Sequence, residues 1–228
     1  MIVILNRLIG TAALAVLLAG CQSEPTVQSG PDAEVTYDGL YRVDNSRMKM
    51  TWVKPDLDLS GYTKIRLIGE GIEYRAVKRA ASTTRANSSR SEFPMDAKQR
   101  ARLEELTGEV FRDELGKSKY FTIVEEEGPD VLELRGALLD VVSNVPPLTG
   151  GRTDFYLTRI GEATLVIELR DSESNEILVR AIDRRGVDPV VITRSTSVQT
   201  VSEIRREWRR WGSILREALD SFHESHAN

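Results

Sequence analysis

The sequence predicts an α+β fold, in which a mainly antiparallel sheet carries two principal helices packed on one face. Two observations support this class. A series of segments has the apolar alternation or β-branched composition of strands, and most of them follow one another without a helix between them. Two other segments repeat apolar residues at the spacing of a helix. Strands in a run with helices at only two places favour helices layered on an antiparallel sheet.

The first strands are predicted in the N-terminal third of the chain. Residues 48–53 alternate and then meet Pro55, which predicts a short edge strand. Residues 63–69 are predicted to form a core strand that continues toward Tyr74. Residues 75–94 are basic and rich in Ser, Thr and Ala, so we expect a long mobile loop there.

The middle of the chain predicts a helix followed by two strands. The helix is expected over 95–116, with Gly116 near its end as a C-cap. A strand over 120–125 follows it, and a long alternating strand covers 131–142, where Gly136 is expected to mark a bulge or a close approach. The apolar stripe of the helix consists of Leu103, Leu106, Val110, Phe111 and Leu115.

A hairpin and a second helix complete the fold. Residues 163–170 and 177–184 read as two β-rich arms joined by a polar turn. The four residues from Thr200 to Glu203 match a capping box, which predicts the start of the final helix. Its apolar residues at helical spacing are Ile204, Trp208, Trp211, Leu215, Leu219 and Phe222.

The N-terminus has the pattern of an export signal. Residues 1–20 are almost entirely apolar and are too short for a comfortable membrane-spanning helix. They end in Leu18-Ala19-Gly20 before Cys21, which resembles the bacterial lipoprotein box, in which that cysteine is lipidated. The resemblance implies a signal peptide over 1–20, palmitate or a similar acyl chain on Cys21, and, because Gln22 is not Asp, sorting to the Gram-negative outer membrane.

The remaining chain is interpreted as a tether and one domain. Residues 21–36 are polar, contain Pro and Gly, and lack periodicity, so we expect a lipid-anchored flexible tether. Residues 37–228 are expected to form a single α+β domain facing the periplasm.

Composition excludes several classes of function. The hydrophobic fraction of 40% and charged fraction of 29% indicate a folded body. A formal net charge of −4 argues against a protein that coats nucleic acid. The single Cys excludes an intrachain disulfide, and 2 His, both near the C-terminus, leave little for His-based catalysis.

Three short patterns were weighed as metal or catalytic sites. Asp56 and Asp58 copy the first half of a calcium loop, but Leu67 stands where a bidentate Glu is needed, so a turn with Asx-type bonds is the better interpretation. The pair His223 and His226 lies at a fraying end, and the glutamates at 125–127 suit a solvated turn. The sequence therefore predicts no metal, no cofactor and no catalytic group.

Two groups of arginines are candidate partner-binding residues. Arg79, Arg85 and Arg90 lie in the basic loop, and Arg205, Arg206, Arg209 and Arg210 form a stripe on the last helix. Arginine suits the recognition of carboxylate or phosphate. The alternatives stay open: the loop arginines keep a mobile surface soluble, and the stripe keeps a helix wet while Trp208 and Trp211 pack in the core.

Residues 37–67, 127–141 and 163–186, together with the lipoprotein box, resemble the bacterial lipoprotein family catalogued as domain of unknown function 3313. That family carries no established activity, so the resemblance transfers no functional residues. We expect an outer-membrane-anchored, non-catalytic interaction module that binds an envelope protein or wall partner and no nucleic acid. The alternatives are an envelope hydrolase acting on a cell-wall polymer and, less favoured, a subunit of a pore or secretion ring.

Overall fold

The computed structural model describes residues 24–77, 91–146, 157–190 and 197–226. These residues form eight strands in one sheet and two helices. The strands are β1 (Thr26–Val27), β2 (Tyr41–Asp44), β3 (Met50–Val53), β4 (Lys64–Tyr74), β5 (Thr122–Val124), β6 (Val131–Ser143), β7 (Gly161–Asp171) and β8 (Ile177–Val187). The helices are α1 (Ala97–Leu115) and α2 (Ser197–His226).

The sheet is mainly antiparallel, as predicted. Its strand order is β1-β2-β3-β8-β7-β6-β4-β5. The exception is β4, which pairs in parallel with both β5 and β6. Parallel neighbours need a crossover connection, and α1 supplies it between β4 and β5.

The core collects the residues that alternate along the long strands. On β7 the buried residues are two apart because successive side chains point to opposite faces of a sheet. They join one hydrophobic cluster with residues of β6 and of both helices. The cluster includes Leu132, Leu134 and Leu138 of β6, Leu165 and Ile167 of β7, Leu106 and Val110 of α1, and Trp208 and Trp211 of α2.

Residues 24–36, which belong to the predicted tether, lie along the edge of the sheet. Thr26 and Val27 pair with β2. The Gln28 N–H donates to the Arg42 carbonyl at 2.8 Å, and the Arg42 N–H donates to the Glu34 carbonyl at 2.9 Å. Polar side chains hid this edge from sequence reasoning, because its contacts to β2 are made largely by backbone groups.

Two further boundaries differ from expectation. The strand that ends before Pro55 is internal rather than an edge, since β3 pairs with β2 on one side and β8 on the other. The loop predicted over 75–94 is tied to β6 at both ends: the Arg75 N–H donates to Val141 at 2.9 Å and the Phe93 N–H to Ser143 at 2.8 Å. Residues 78–90 between them lie outside the described residues.

The N-cap of α1 was not predicted from the sequence, and the N-cap of α2 was predicted at the wrong residue. In α1 the Asp96 carboxylate accepts from the Gln99 N–H, and the Gln99 side chain accepts from the Asp96 N–H, each at 2.8 Å. The predicted cap at Thr200 is wrong, because α2 already begins at Ser197. Glu203 is instead buried and accepts from the Val190 N–H at 3.2 Å.

Candidate binding surfaces

The face of the sheet opposite the core cluster carries two groups of ion pairs. The first centres on Arg75, which makes two hydrogen bonds of 2.7 and 2.6 Å to the Asp140 carboxylate and one of 2.6 Å to Glu162. Arg184 on β8 bonds the same two acids, at 2.9 and 2.6 Å. Asp140 reaches them from a register shift in β6, where its φ is +54°.

The second group follows the cross-strand register of β8, β7 and β6. Arg180 bonds Glu168 of β7 at 2.8 Å and Asp38 at 2.8 Å. Glu133 of β6 is only 4% exposed and accepts from Arg66 at 3.0 Å and Arg135 at 2.5 Å. A buried carboxylate needs such donors, because leaving it unpaired would cost several kcal/mol.

These arginines lower the pKa values of three acids of the sheet. The hydrogen bond from Arg75 lowers the pKa of Asp140. Burial alone would raise the pKa of Glu162, but the bonds from Arg75 and Arg184 lower it on balance. At Glu168, burial would again raise the pKa, but the hydrogen bonds from arginines lower it on balance. A lowered pKa suits a fixed ion pair, whereas a general acid needs a raised one.

The arginine stripe of α2 divides into paired and exposed members. Arg205 makes two hydrogen bonds to the Glu109 carboxylate of α1, at 2.7 and 3.1 Å. Arg206 bonds Glu207 at 3.0 Å and the Asp188 carbonyl at 2.8 Å. Arg209 and Arg210 are exposed. The other predicted binding residues, Arg79, Arg85 and Arg90, lie outside the described residues.

The tryptophans of α2 pack in the core, which confirms that interpretation. Trp208 and Trp211 are 2% and 0% exposed. Their indole N–H groups each donate a hydrogen bond of 2.8 Å, to Thr107 of α1 and to Asp183 of β8 respectively. The two rings therefore join α2 to its neighbouring helix and to the sheet.

The side chains of the candidate metal patterns contact other protein groups in the structure. The Asp58 carboxylate accepts from the Ser60 N–H at 2.8 Å, which is the Asx-type turn expected from the sequence. His223 stacks on Tyr120 with ring centres 4.5 Å apart. Across the part of the chain that the structure describes, no three His, Cys, Asp or Glu side chains are grouped as metal ligands.

An apolar groove of about 350 Å³ lies between α1 and the sheet, beside β4. The sequence did not predict this groove, and for Gly136 it predicted a bulge or a close approach. A Cβ at Gly136 would meet no atom within 4 Å, so this glycine borders open space and makes no close approach. The expected bulge is present, because the β4–β6 register shifts at this point: Gly69 pairs with Gly136 and Gly71 with Ala137, so the bulge lies in β4 opposite Gly136. The apolar walls of the groove are Leu67, Ile72, Phe111, Leu115, Leu134 and Leu138.

A second apolar cleft, of about 310 Å³, lies between the N-terminal halves of the two helices. Leu103 and Leu106 of α1 face Ile204 and Trp208 of α2 across it. Among the helices of the described residues, none is long and apolar enough to cross a membrane. Cys21 lies three positions before Glu24, the first described residue.

The eight-stranded sheet, its helix pair and its paired surface charges define an α+β protein with apolar grooves between helices and sheet. The chain belongs to the family described as "Protein of unknown function (DUF3313)", whose model matches residues 28–212. This confirms the family resemblance predicted from the sequence. No curated protein matches the chain significantly.

Three solved structures are similar to this chain at low sequence identity. A Xanthomonas campestris protein of family DUF330 is 10% identical, with a TM-score of 0.39 over 80% of this chain and 95% of that one. The PelC dodecamer subunit from Paraburkholderia phytofirmans is 13% identical, with a TM-score of 0.35 over 69% and 91%. A hypothetical protein from Chlamydia trachomatis is 9% identical, with a TM-score of 0.39 over 70% and 99%. Values this low say nothing about a shared function.

Proposed function

We propose that this protein is a lipoprotein of the Gram-negative outer membrane, anchored through Cys21, whose body is a non-catalytic binding module in the periplasm. In this proposal both helices cover one face of the sheet, and the body works without a cofactor. The observation that carries it is the position of β1. Thr26 already pairs with β2, five residues after the lipoprotein-box cysteine.

This spacing sets how far the body stands from the lipid. An extended chain spans at most about 3.5 Å per residue, so five residues reach about 18 Å. A lipidated Cys21 would therefore hold the β1–β2 edge close to the membrane surface instead of on a long tether. Confinement of this kind raises the effective concentration of the module for a partner at the same surface.

The binding residues in this proposal are the exposed arginines. Arg205 and Arg206 are occupied by acids of the same molecule, so Arg209 and Arg210 are the members of the stripe that a partner meets first. Guanidinium groups bind carboxylates and phosphates through paired N–H donors. The partner is then an envelope protein or wall polymer that presents carboxylates, and Arg79, Arg85 and Arg90 add to the same recognition.

The lowered carboxylate pKa values favour binding over the hydrolase alternative. Hydrolysis by paired carboxylates needs one that is protonated near neutral pH. The pKa values of Asp140, Glu162 and Glu168 are all lowered, so these acids stay ionised at neutral pH.

The anchor is tested by fractionation of the cell envelope. Cys21→Ser should release the protein from the outer-membrane fraction, because the thiol is the group that takes the lipid. Gln22→Asp is the matched variant, since it keeps the cysteine and should move the protein to the inner membrane. Unchanged outer-membrane association of Cys21→Ser would contradict the proposal.

The partner surface is tested by crosslinking in intact cells. The double variant Arg209→Gln, Arg210→Gln should lose captured species that the unmodified protein retains. Lys54→Gln combined with Lys64→Gln is the control, because it removes the same charge from exposed side chains of other elements. Identical captures by both double variants, and by Arg79, Arg85 and Arg90 replaced with Gln, would overturn charge-guided binding. Turnover of a wall fragment by the purified protein would favour the hydrolase.

A further inference from the structure

The groove beside β4 is a trough between two rows of apolar side chains. In the register of β4 and β6, Leu67 pairs with Leu134 and Ile72 with Leu138, which makes the two walls. The row between them is Gly69 paired with Gly136, so the floor carries no side chains. Like-facing residues along a strand are about 7 Å apart. The trough is therefore about one row of side chains wide.

Two more glycines keep this space open. Gly71 follows the floor with φ at +101°, a backbone conformation that L side chains rarely adopt. Gly108 faces the groove from α1. A Cβ placed on any of these glycines would meet no atom within 4 Å. Protein interiors are normally close-packed, so about 350 Å³ of apolar space between a helix and a sheet is room for a ligand.

The chemistry of the groove suits an aliphatic ligand. Its walls are hydrocarbon, and Leu67, Ile72 and Phe111 are only partly buried, so they keep apolar surface available. The Thr107 hydroxyl already donates to the Leu103 carbonyl at 2.7 Å and accepts from Trp208 at 2.8 Å. Charged side chains, Glu104 and Arg112, stand on the α1 side of the groove. A ligand would gain contact area inside and keep its polar end in water.

The adjacent edge of β4 is poorly suited to an added peptide strand. Within the described residues, β5 pairs with β4 only as far as Arg66. Beyond that point β4 has register shifts between Gly69 and Gly71 and between Ile72 and Tyr74, and Glu70 is exposed. Bulges and edge charges are devices that prevent strand addition. The narrow width likewise excludes a broad fused-ring ligand.

We propose that the groove binds one unbranched aliphatic chain, laid across Gly69 and Gly136 under Phe111. The chain can come from a free fatty acid or from the acyl chain of a phospholipid, which share this chemistry. The proposal concerns α1 and the β4 side of the sheet, and it does not depend on lipidation of Cys21.

The test uses the chain from Gln22 to Asn228, which keeps every described strand and helix and needs no detergent. Binding of a fluorescent polyene fatty acid is measured, and then its displacement by palmitate or by lysophosphatidylethanolamine. Saturable binding that either ligand displaces supports the proposal. Displacement by palmitate alone assigns a free fatty acid, and displacement by the lysophospholipid alone assigns a membrane lipid.

Two substitutions are designed to fill the trough, and a third substitution serves as the control. Gly136→Leu and Gly69→Leu should each weaken binding of the fluorescent fatty acid at least tenfold. The unfolding temperature of each variant should be unchanged or higher. Val166→Leu enlarges a side chain on the opposite face of β7 and should leave binding unchanged. The second glycine variant keeps the test decisive if the first fails to fold. Absence of saturable binding, or equal affinity in both folded glycine variants and the control, would overturn the proposal.

Discussion

The indole N–H of Trp211 donates a buried hydrogen bond of 2.8 Å to the carboxylate of Asp183. Asp183 is 6% exposed and also accepts from Arg185 at 2.6 Å and from the Lys49 N–H at 3.2 Å. One buried carboxylate thus joins α2, β8 and the chain just before β3. Its burial is tolerated because these three donors satisfy its oxygens.

We expect Trp211→Phe to destabilise the protein more than Trp208→Phe does. Loss of the Trp211 donor leaves a buried charged acceptor short of a partner, which costs about 2–4 kcal/mol together with the lost packing. The Trp208 acceptor is the Thr107 hydroxyl, which keeps its own bond to Leu103. Its loss should cost about 1–2 kcal/mol. Urea unfolding of both variants measures the difference, and equal losses would contradict the role given to Asp183.

The two helices are in close contact at Gly212, where alanine should be harmful. A Cβ there would lie 2.7 Å from the Cβ of Glu114 on α1. We expect Gly212→Ala to lower the free energy of unfolding by about 1–3 kcal/mol, although alanine is the better helix former. Gly108→Ala is the matched control, because its Cβ meets no atom within 4 Å and should stabilise α1 by about 0.5–1 kcal/mol. Stabilisation by both changes would refute the close contact.

Removal of Arg75 should make the free energy of unfolding less dependent on pH in the acidic range. Asp140 and Glu162 have pKa values below their unfolded values, so their ion pairs stabilise the fold above about pH 4, and the stabilisation is lost as pH falls through the lower folded pKa values. Arg75→Gln should cost about 1–3 kcal/mol at pH 7. The cost should shrink as the pH falls toward the lowered folded pKa values, because the carboxylates lose their charge there. Arg184→Gln, at the more exposed arginine, should have a smaller effect. Unfolding measured from pH 2 to 7 compares the three proteins.

Two alanine substitutions compare a fully buried core position with a position at the groove. Phe111 belongs to the apolar stripe predicted for α1, but it is only partly buried and lines the groove. Phe111→Ala should therefore cost about 1–3 kcal/mol. Leu132 is 0% exposed, so Leu132→Ala should cost about 2–5 kcal/mol. A smaller loss at Leu132 than at Phe111 in urea unfolding would mean that the centre of the core lies elsewhere.

Local pattern was enough to predict the long elements but not their neighbours. The β7–β8 hairpin and β6 were predicted because ten or so alternating residues outweigh local exceptions. β1 and β2 were missed because two and four residues carry too little periodicity. Nothing in the local sequence of β4 says that it pairs in parallel with β6, since pairing is decided by packing between distant segments.

The same limit applies to the surfaces. Arg205 and Arg209 look alike in the sequence, and only the fold shows that Glu109 of α1 occupies the first. The trough likewise requires Gly69 and Gly136 to be neighbours in the sheet, although they are far apart in the chain. A single glycine in a strand signals a special position, but its partner decides whether that position is a bulge or a floor.

The edge formed by residues 24–36 should contribute to stability, contrary to its prediction as a tether. A chain that begins at Tyr37 loses the Gln28 and Arg42 backbone bonds and the bond of 2.9 Å from the Thr36 N–H to the Leu40 carbonyl. It also loses the contact of 3.3 Å between the Trp52 indole N–H and Glu34. At about 1 kcal/mol for each of these four bonds, the free energy of unfolding should fall by about 4 kcal/mol.

The control for this truncation is a chain that begins at Glu24, which keeps β1 and should match the chain that begins at Gln22. Urea unfolding followed by tryptophan fluorescence suits the comparison, because Trp52 lies beside the removed segment and reports its loss directly. Equal midpoints for the chains that begin at Glu24 and at Tyr37 would show that the segment only rests on the sheet. A lower midpoint for the shorter chain would mean that residues 24–36 are part of the folded body.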